Sequence, residues 1–281
     1  MTSEDQRRWC VFSAAGDNNA IRLWLKDVPA RRWDLVVGYY GDDDREFSEI
    51  SKLSSNAFRA KGGKYQILQK FAQQNPGFFD QYSYVWACDD DIQMTGAQIE
   101  EAFSISEDLG FWVAQPAFSP EGKNSHPITV YSGPDHDYRT VNFIENGVAI
   151  FRRCKLMQFL TVFDGSLAGW GIDYWYMNLF GAHKLRRSQA FLNAAPLGRF
   201  AVINRLQVLN PHDDSKGGRE ISRLQSNSQR RAAWLEAMAT YGLSEFPHKV
   251  FASRSIPQEG PVGPAVTRLD LARQFISALF R

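Results

Sequence analysis

Three consecutive carboxylates, Asp89, Asp90 and Asp91, directly follow an apolar run that is rich in aromatic and β-branched residues. Such a run, here residues 82–88, is typical of a buried strand. No Lys or Arg stands beside the three acids, and like charges a few ångströms apart repel one another and raise each other's pKa. A divalent cation would remove this repulsion, and hard carboxylate oxygens suit Mn²⁺ or Mg²⁺. The pattern therefore predicts a strand that ends at a metal site.

The alternation of side chains along a strand suggests which of the three acids bind the cation. Asp89 and Asp91 would share one side of the strand end and Asp90 would take the other. We therefore expect Asp89 and Asp91 to be metal ligands. The alternative is a solvated acidic turn, which is the usual structure of a charge run.

A second informative stretch is Gly169-Trp170-Gly171, which is followed closely by Asp173. Glycines allow the backbone to approach a ligand, and the flat face of Trp suits the C–H face of a pyranose. These three residues are therefore the predicted acceptor site. Asp173 would head a helix over 174–180, whose N-terminal dipole would keep the carboxylate ionised, as a base requires. A helix N-cap is the alternative role of Asp173, and the two roles are compatible.

Glu145 stands in the middle of a predicted strand over 141–152. A charge in a buried strand conflicts with the pattern unless it faces a site. We therefore expect Glu145 to contact an acceptor hydroxyl and to be the next candidate for a catalytic base. The alternative is an outward-facing residue of an edge strand.

Two further segments could hold an anion. The run 61–64, Lys-Gly-Gly-Lys, combines glycines with cationic side chains, although it lacks the spacing of a nucleotide-triphosphatase loop. A helix predicted over 65–74 could direct Lys64 or Lys70 towards a diphosphate, and exposed lysines on a glycine turn are the alternative. Gly16 ends a predicted strand over 9–16 of the kind that opens a nucleotide-binding α/β unit.

The predicted elements favour an α/β fold. Residues 9–16 and 33–41 are continuous apolar runs, typical of parallel strands that are covered on both faces. A helix predicted over 20–26 connects them as a βαβ unit. A further strand is predicted over 111–118, and the irregular segment 119–138 lies where an acceptor would be covered.

The order of these motifs resembles the glycosyltransferases of the GT-A fold. Residues 85–91 are similar to the strand with an Asp-Asp-Asp end in β-1,3-galactosyltransferases and fringe enzymes, and residues 64–70 to the lysine-bearing helix that precedes it. Residues 146–151, then 169–173, then His212 follow in the same order. The chain also resembles the uncharacterised DUF707 family, and the resemblance covers roughly residues 8–218.

This resemblance implies a GT-A-like (Rossmann-like) fold, with a mixed, mainly parallel sheet flanked by helices and a C-terminal helical appendage. It implies transfer of a sugar from a nucleotide-diphosphate sugar to a hydroxyl of a glycan or lipid-linked glycan, with Mn²⁺ or Mg²⁺ and with inversion. His212 would complete the metal site, because many such enzymes place a His there. The residues expected to hold the nucleotide are Gly16, Lys64, Lys70, Asp89 and Asp90. The chain has one acid, Asp173, where many relatives have two, which leaves open whether it deprotonates or only orients the acceptor.

The composition shifts near residue 219, so we predict a catalytic domain over 1–218 and a helical extension over 219–281 that packs on it. Residues 222–241 and 268–281 have amphipathic patterns, and the proline-rich segment 246–264 would link them. The arginines of 268–281 leave open a peripheral contact with the inner membrane surface near a lipid-linked acceptor.

Composition bounds the remaining possibilities. The 281 residues carry 32 Lys and Arg against 31 Asp and Glu, a net charge of +1, so no global field would recruit nucleic acid. Three distant cysteines fit a reducing cytoplasm, and no signal peptide or apolar span predicts secretion or membrane insertion. Two other function classes stay open: a non-catalytic carbohydrate- or partner-binding protein on the same fold, and a metal-dependent nucleotidyltransferase or phosphohydrolase. The donor sugar, the acceptor and the oligomeric state cannot be read from the sequence.

Overall fold

The computed structural model of the chain describes residues 8–26, 28, 30–184, 198–212 and 220–256. Its centre is one nine-stranded sheet with the order β3-β2-β1-β4-β7-β5-β8-β6-β9. The strands are β1 Trp9–Ala15, β2 Trp33–Tyr39, β3 Asn56–Arg59, β4 Tyr84–Asp89, β5 Val113–Phe118, β6 Tyr138–Val141, β7 Val148–Arg152, β8 Phe200–Val208 and β9 Val250–Arg254. The helices are α1 Ile21–Leu25, α2 Asp44–Leu53, α3 Lys64–Gln74, α4 Gly96–Asp108, α5 Arg153–Val162, α6 Ile172–Leu179, α7 Glu220–Leu224 and α8 Asn227–Tyr241.

The first half of the sheet is parallel. β1 pairs in parallel with both β2 and β4, and β2 with β3. β7 pairs antiparallel with β4 and β5, and β6 pairs antiparallel with β8 and β9. Only β6 and β7 therefore run against the other strands of the described sheet, and the predicted mixed, mainly parallel sheet is confirmed.

Both faces of the central strands are buried, as the continuous apolar runs predict. Phe12 and Val85 belong to a core that also contains side chains of α3, α5 and α6. Their neighbours Val11 and Trp86 belong to the opposite core, which contains side chains of α1 and α4. The carboxyl ends of β1, β2 and β4 therefore meet at one sheet edge, where open α/β sheets bind ligands.

The prediction of a single strand over 141–152 is wrong. β6 ends at Val141 and β7 begins at Val148, so Glu145 lies in the connection between two strands. The two strands have different neighbours in the sheet, and a connection is needed to move the chain between them. The polar residues that conflicted with a buried strand are the residues of this connection.

The region after residue 219 differs in part from the prediction. α7 and α8 occur where an amphipathic helix was expected, and Trp234 of α8 is fully buried in the core that contains α6. The expected linker contains β9, which pairs with β6 at the edge of the main sheet. The predicted helix over 268–281 lies outside the described residues. Within the described chain, none of the helices combines the length and the apolar composition that crossing a bilayer requires.

Candidate functional site

The acidic triplet is a strand end followed by a turn, because β4 ends at Asp89. Asp90 is 8 % exposed, and its Oδ2 accepts hydrogen bonds from the Gly16 amide at 2.8 Å and the Tyr40 hydroxyl at 3.1 Å. Burial raises the pKa of the Asp90 carboxyl to about 7. Asp90 therefore fastens the turn to the loops after β1 and β2. The Gly16 amide, expected to contact a nucleotide, is used in this internal contact.

A lysine that is distant in sequence supplies positive charge to the triplet. Lys64, the first residue of α3, is 9 % exposed, and its Nζ lies 2.7 Å from Asp89 Oδ1. The same ammonium donates to the carbonyls of Ala87 at 3.0 Å and Asn146 at 2.7 Å. Lys64 thus lies beside the acids, and its protons bind groups of the protein itself. Lys70 is exposed and, six residues along the helix, is rotated by roughly 120° from Lys64, so the structure does not bring it to the acids.

A small cavity of ≈ 150 Å³ lies against the acidic turn, and we call it the donor cavity. All three acids of the triplet line it, together with Lys64 and Tyr40. Its position at the carboxyl ends of parallel strands is the expected place for a nucleotide.

The described residues do not form a complete metal site on their own. In the described parts of the chain, no three His, Cys, Asp or Glu side chains are grouped so that they could hold a metal. His212, expected as the third ligand, is exposed, and its Nε2 lies 3.1 Å from the carbonyl oxygen of Glu121. β8 leads into the turn beside Glu121, and His212 belongs to no group of three such side chains among the described residues, so its role as a metal ligand stays a prediction.

A larger cavity of ≈ 580 Å³ adjoins the first, and we call it the acceptor cavity. Glu145, Asp173 and Trp170 line it. The two cavities share the residues Asn146, Gly169 and Ile221. They are therefore neighbouring parts of one cleft.

Asp173 is held firmly in the wall of the acceptor cavity. It is 6 % exposed and follows the first residue of α6, which begins two residues and ends one residue before the predicted 174–180. Its Oδ2 accepts a hydrogen bond from Asn146 Nδ2 at 3.0 Å, and its Oδ1 accepts one from the Tyr174 amide at 2.9 Å. Burial nevertheless raises the pKa of the Asp173 carboxyl to about 6. The helix end was expected to keep this pKa low, but the cost of burying the charge is larger.

Asn146 connects the two cavities, and its side-chain role was not foreseen from the sequence. Its carbonyl accepts from Lys64 Nζ and its side-chain amide donates to Asp173. One residue therefore couples the lysine beside the acidic turn to the candidate base. An Asn-Gly pair between two apolar runs indicates a turn, but it does not identify the residues that the Asn side chain contacts.

Glu145 has the least satisfied carboxyl group of the cleft. It is partly buried, and its Oε2 is buried without a hydrogen-bond partner among the described residues. Burial and, secondly, the charge of Asp173 raise the pKa of Glu145 to about 8. Its backbone amide donates to Gln115 Oε1 at 2.7 Å, which fixes the connection before β7. Glu145 therefore faces the site rather than an edge of the sheet.

The structure shows why glycine residues flank Trp170, which the sequence alone did not. Gly171 has φ +87°, and a Cβ there would lie 2.3 Å from the ring of Trp234. A Cβ on Gly169 would lie 2.4 Å from Ile221 Cδ1. The two glycines thus admit α8 and α7 to the wall of the cleft, whereas they were expected to admit a sugar. Trp170 itself is 42 % exposed and lines the acceptor cavity.

Comparison with solved structures identifies the fold. S. aureus TarS 1–349, crystallised in complex with UDP-GlcNAc, is similar over 82 % of this chain and 66 % of that chain, with 12 % identity and a TM-score of 0.51. GalNAc-T7, crystallised with UDP, GalNAc and Mn²⁺, is similar over 84 % of this chain and 49 % of that chain, with 12 % identity and a TM-score of 0.52. This chain thus spans about two thirds of the length of the TarS fragment and about half of the length of GalNAc-T7. No protein-family model and no curated protein sequence matches it.

At this level of identity the likeness concerns the fold. Both solved structures are GT-A glycosyltransferases, and the GT-A-like fold expected from the sequence is confirmed. The resemblance to DUF707 and to fringe enzymes stays a prediction.

Proposed function

We propose that the protein is a glycosyltransferase that moves a sugar from a nucleotide-diphosphate sugar to an acceptor hydroxyl. The observation that supports this most directly is the pair of cavities that meet at Asn146, Gly169 and Ile221. A transferase of this kind needs two sites whose ligands touch. The buried carboxyl group of Asp173 lies in the second site, on the wall that Asn146 links to the first.

The donor cavity is the proposed nucleotide-sugar site. TarS was crystallised with UDP-GlcNAc and GalNAc-T7 with UDP, so a UDP-sugar is the first donor to test here. Asp89 and Asp91 line the cavity, whereas Lys64 and Asp90 hold it together through internal contacts. The proposed role of Lys64 is to limit the repulsion between the acids and the diphosphate.

We propose that Asp91 and Asp89 bind Mn²⁺ or Mg²⁺ only together with the donor. The carboxylate oxygens suit these cations, but the described protein groups alone do not complete a site. Oxygens of the donor's diphosphate would supply the missing ligands. A cation bound there would add positive charge beside the departing diphosphate.

The proposed base is Asp173. The acceptor oxygen forms a bond to the anomeric carbon of the donor sugar, the bond from that carbon to the diphosphate breaks, and the hydroxyl proton passes to the Asp173 carboxylate. A pKa of about 6 suits this task, because a base works best when its pKa lies near the working pH. The one-step form of this reaction inverts the anomeric centre.

The function can be tested with a panel of UDP-, GDP- and dTDP-sugars with and without Mn²⁺. We expect one nucleoside family to raise the melting temperature by about 5 °C or more at 100 times its Kd, given ~2.7 kcal/mol of stabilisation. We also expect slow release of the nucleoside diphosphate. Asp91→Asn should lose the metal-dependent part of this shift, while Asp108→Asn, a change of an exposed acid on α4, should keep it.

The products of the same assay separate the other function classes. A phosphohydrolase would release a nucleoside monophosphate and a sugar phosphate, and a nucleotidyltransferase supplied with pyrophosphate would release a nucleoside triphosphate and a sugar phosphate. A non-catalytic carbohydrate-binding protein would be stabilised by glycans and would release no nucleotide. The absence of any nucleotide-dependent shift would contradict the proposed function.

A further inference from the structure

Basic side chains of two separate segments line the acceptor cavity. Arg230 and Arg231 come from α8, and Lys123 comes from the segment after β5. A cavity that bound only neutral sugar hydroxyls would not need three cationic side chains. Glu145, Asp173 and Glu245 also line the cavity, so the cationic side chains indicate an anionic ligand only where these acids do not pair with them.

Two of these acids accept hydrogen bonds from neutral groups. Asp173 accepts from the Asn146 side chain and a backbone amide, as described above. Glu245 accepts from the Trp234 indole at 2.9 Å. Arg231 is exposed, and its contact in the described chain is the ring of Trp170, 5.5 Å from the guanidinium carbon. Within the described residues Arg231 forms no ion pair with the acids of the cavity.

The placement of the two arginines is unfavourable for the helix that carries them. They are the fourth and fifth residues of α8, whose first turn contains no acidic residue. Arg230 lies in the first turn, where the helix dipole opposes a positive charge, and Arg231 directly follows it. A locally unfavourable choice that faces a cavity is expected at a functional site.

We infer that the acceptor carries an anionic group, a phosphate or a carboxylate, which Arg231 binds together with Arg230 and Lys123. The inference rests on the proposed function for the role of the cavity. The planar guanidinium group matches either anion with two parallel hydrogen bonds. Trp170 holds the guanidinium on one side and leaves apolar ring surface for the sugar that bears the anion. The proposed substrate class is therefore a phosphorylated or acidic saccharide.

The inference can be tested by binding measurements on the full chain with UDP at saturation. The probes are glucose, glucose 6-phosphate and glucuronate. Their binding is measured by saturation-transfer NMR and by calorimetry at low salt. We expect at least one anionic probe to bind about 10-fold or more tightly than glucose, as one charge-assisted pair predicts. Arg231→Gln should remove this preference, and Arg231→Lys should keep part of it. The two anionic probes distinguish a phosphate from a carboxylate.

The control is Arg152→Gln, which changes an exposed arginine at the opposite end of the sheet and should keep the full preference. Equal binding of glucose and both anionic probes would overturn the inference, and so would an equal loss in the Arg152 and Arg231 variants. The binding of UDP, followed separately by melting temperature, reports on the proposed function. A protein that binds UDP but shows no anion preference would retain the proposed function and lose only this inference.

Discussion

At the scale of single residues, Asp173 and Glu145 share one cavity but differ in how they are held. Both oxygens of Asp173 accept hydrogen bonds, whereas one oxygen of Glu145 is buried without a partner in the described structure. Their pKa values are raised to about 6 and about 8, respectively. Two carboxyl groups whose environments separate their pKa values are the usual arrangement for distinct acid and base roles.

Asp173→Asn tests the base directly. The amide keeps the size of the side chain, and its oxygen can still accept one of the two hydrogen bonds, so we expect donor and metal affinity to stay within about twofold of the wild type. Turnover should fall by about 10²-fold or more, because a positioned base contributes on the order of 10² to 10⁴ in rate. Steady-state kinetics with a verified acceptor measures this split. Near-wild-type turnover would transfer the role of base to Glu145 or indicate a retaining reaction.

The pH dependence of kcat/KM should report the titration of the Asp173 carboxyl group. Asp173 accepts a proton only as the carboxylate, so kcat/KM should fall as pH decreases through about 6 and level off above about 7. Donor binding, measured in the same buffers, provides the control, because it should not follow this profile. An acid limb that is still present in Asp173→Asn at its residual rate would assign the titration to another group.

Glu145→Gln should become stabilising as pH rises. The folded state holds the Glu145 proton up to a pKa of about 8, whereas an unfolded Glu loses it near ~4.3. The wild type therefore loses stability relative to the variant from about pH 4 to about pH 8. Each kcal/mol of free energy of unfolding that is lost should lower its melting temperature by about 2–4 °C. Differential scanning calorimetry at pH 4.5 and 8.5 measures the change. Glu236→Gln, on the exposed face of α8, should show no such trend, and a pH-independent difference for Glu145→Gln would contradict the assignment.

At the scale of elements, α7 and α8 are packed against the segment that carries Trp170. Gly169 and Gly171 leave room for Ile221 of α7 and Trp234 of α8. The C-terminal helices therefore form part of the wall of the acceptor cavity, and changes at this contact should affect stability before they affect chemistry.

Two alanine substitutions separate space from backbone strain. Gly171→Ala should cost at least about 2 kcal/mol, because a Cβ at φ +87° is strained and also meets the Trp234 ring. Gly169→Ala meets only the Cδ1 atom of Ile221 at 2.4 Å, so Ile221→Val should relieve most of its cost. Urea denaturation of the single and double variants gives the coupling, expected at about 1 kcal/mol. Additive effects of Gly169→Ala and Ile221→Val would show that this contact is not tight in solution.

At the scale of the whole molecule, residues 220–256 belong to the same body as the first part of the chain. Trp234 and Ala237 are buried in the core, and β9 extends the sheet at β6. The predicted boundary at 218/219 thus falls between segments that share a core and a sheet. It marks a change in composition more than a separation in space.

A chain that ends at residue 218 should therefore fail to unfold cooperatively. The loss of α7, α8 and β9 would expose apolar side chains that are now buried, and it would leave one edge of β6 without its partner β9. As a reference in the full chain, Trp234→Ala should cost about 3–5 kcal/mol. Near-ultraviolet circular dichroism and urea denaturation measure both. Cooperative unfolding of the 218-residue chain with the midpoint of the full chain would contradict this expectation and show that residues 1–218 fold without the extension.

The sequence by itself predicted the fold class, several of the central elements and a part of the candidate site. The apolar runs at β1, β2 and β4 predicted buried strands, and the change from apolar residues to Asp89, Asp90 and Asp91 placed a site at the end of β4. The Gly-Trp-Gly-x-Asp segment singled out Trp170 and Asp173, which both line the second cavity in the structure. These features are readable because periodicity and turn chemistry act within a few neighbouring residues.

Only the tertiary structure decided which side chains meet. The pairing of Lys64 with Asp89, the bond from Asn146 to Asp173 and the packing of Trp234 on Gly171 join residues 25, 27 and 63 positions apart. Such contacts depend on how sheet and helices pack, since local propensity is unchanged by a partner far along the chain. The packing of the sheet also explains why Glu145 lies in a connection between two strands and not in the predicted strand. Burial raises the pKa of Asp173, which the helix end alone would have lowered. Burial and long-range pairing arise only when the chain is folded.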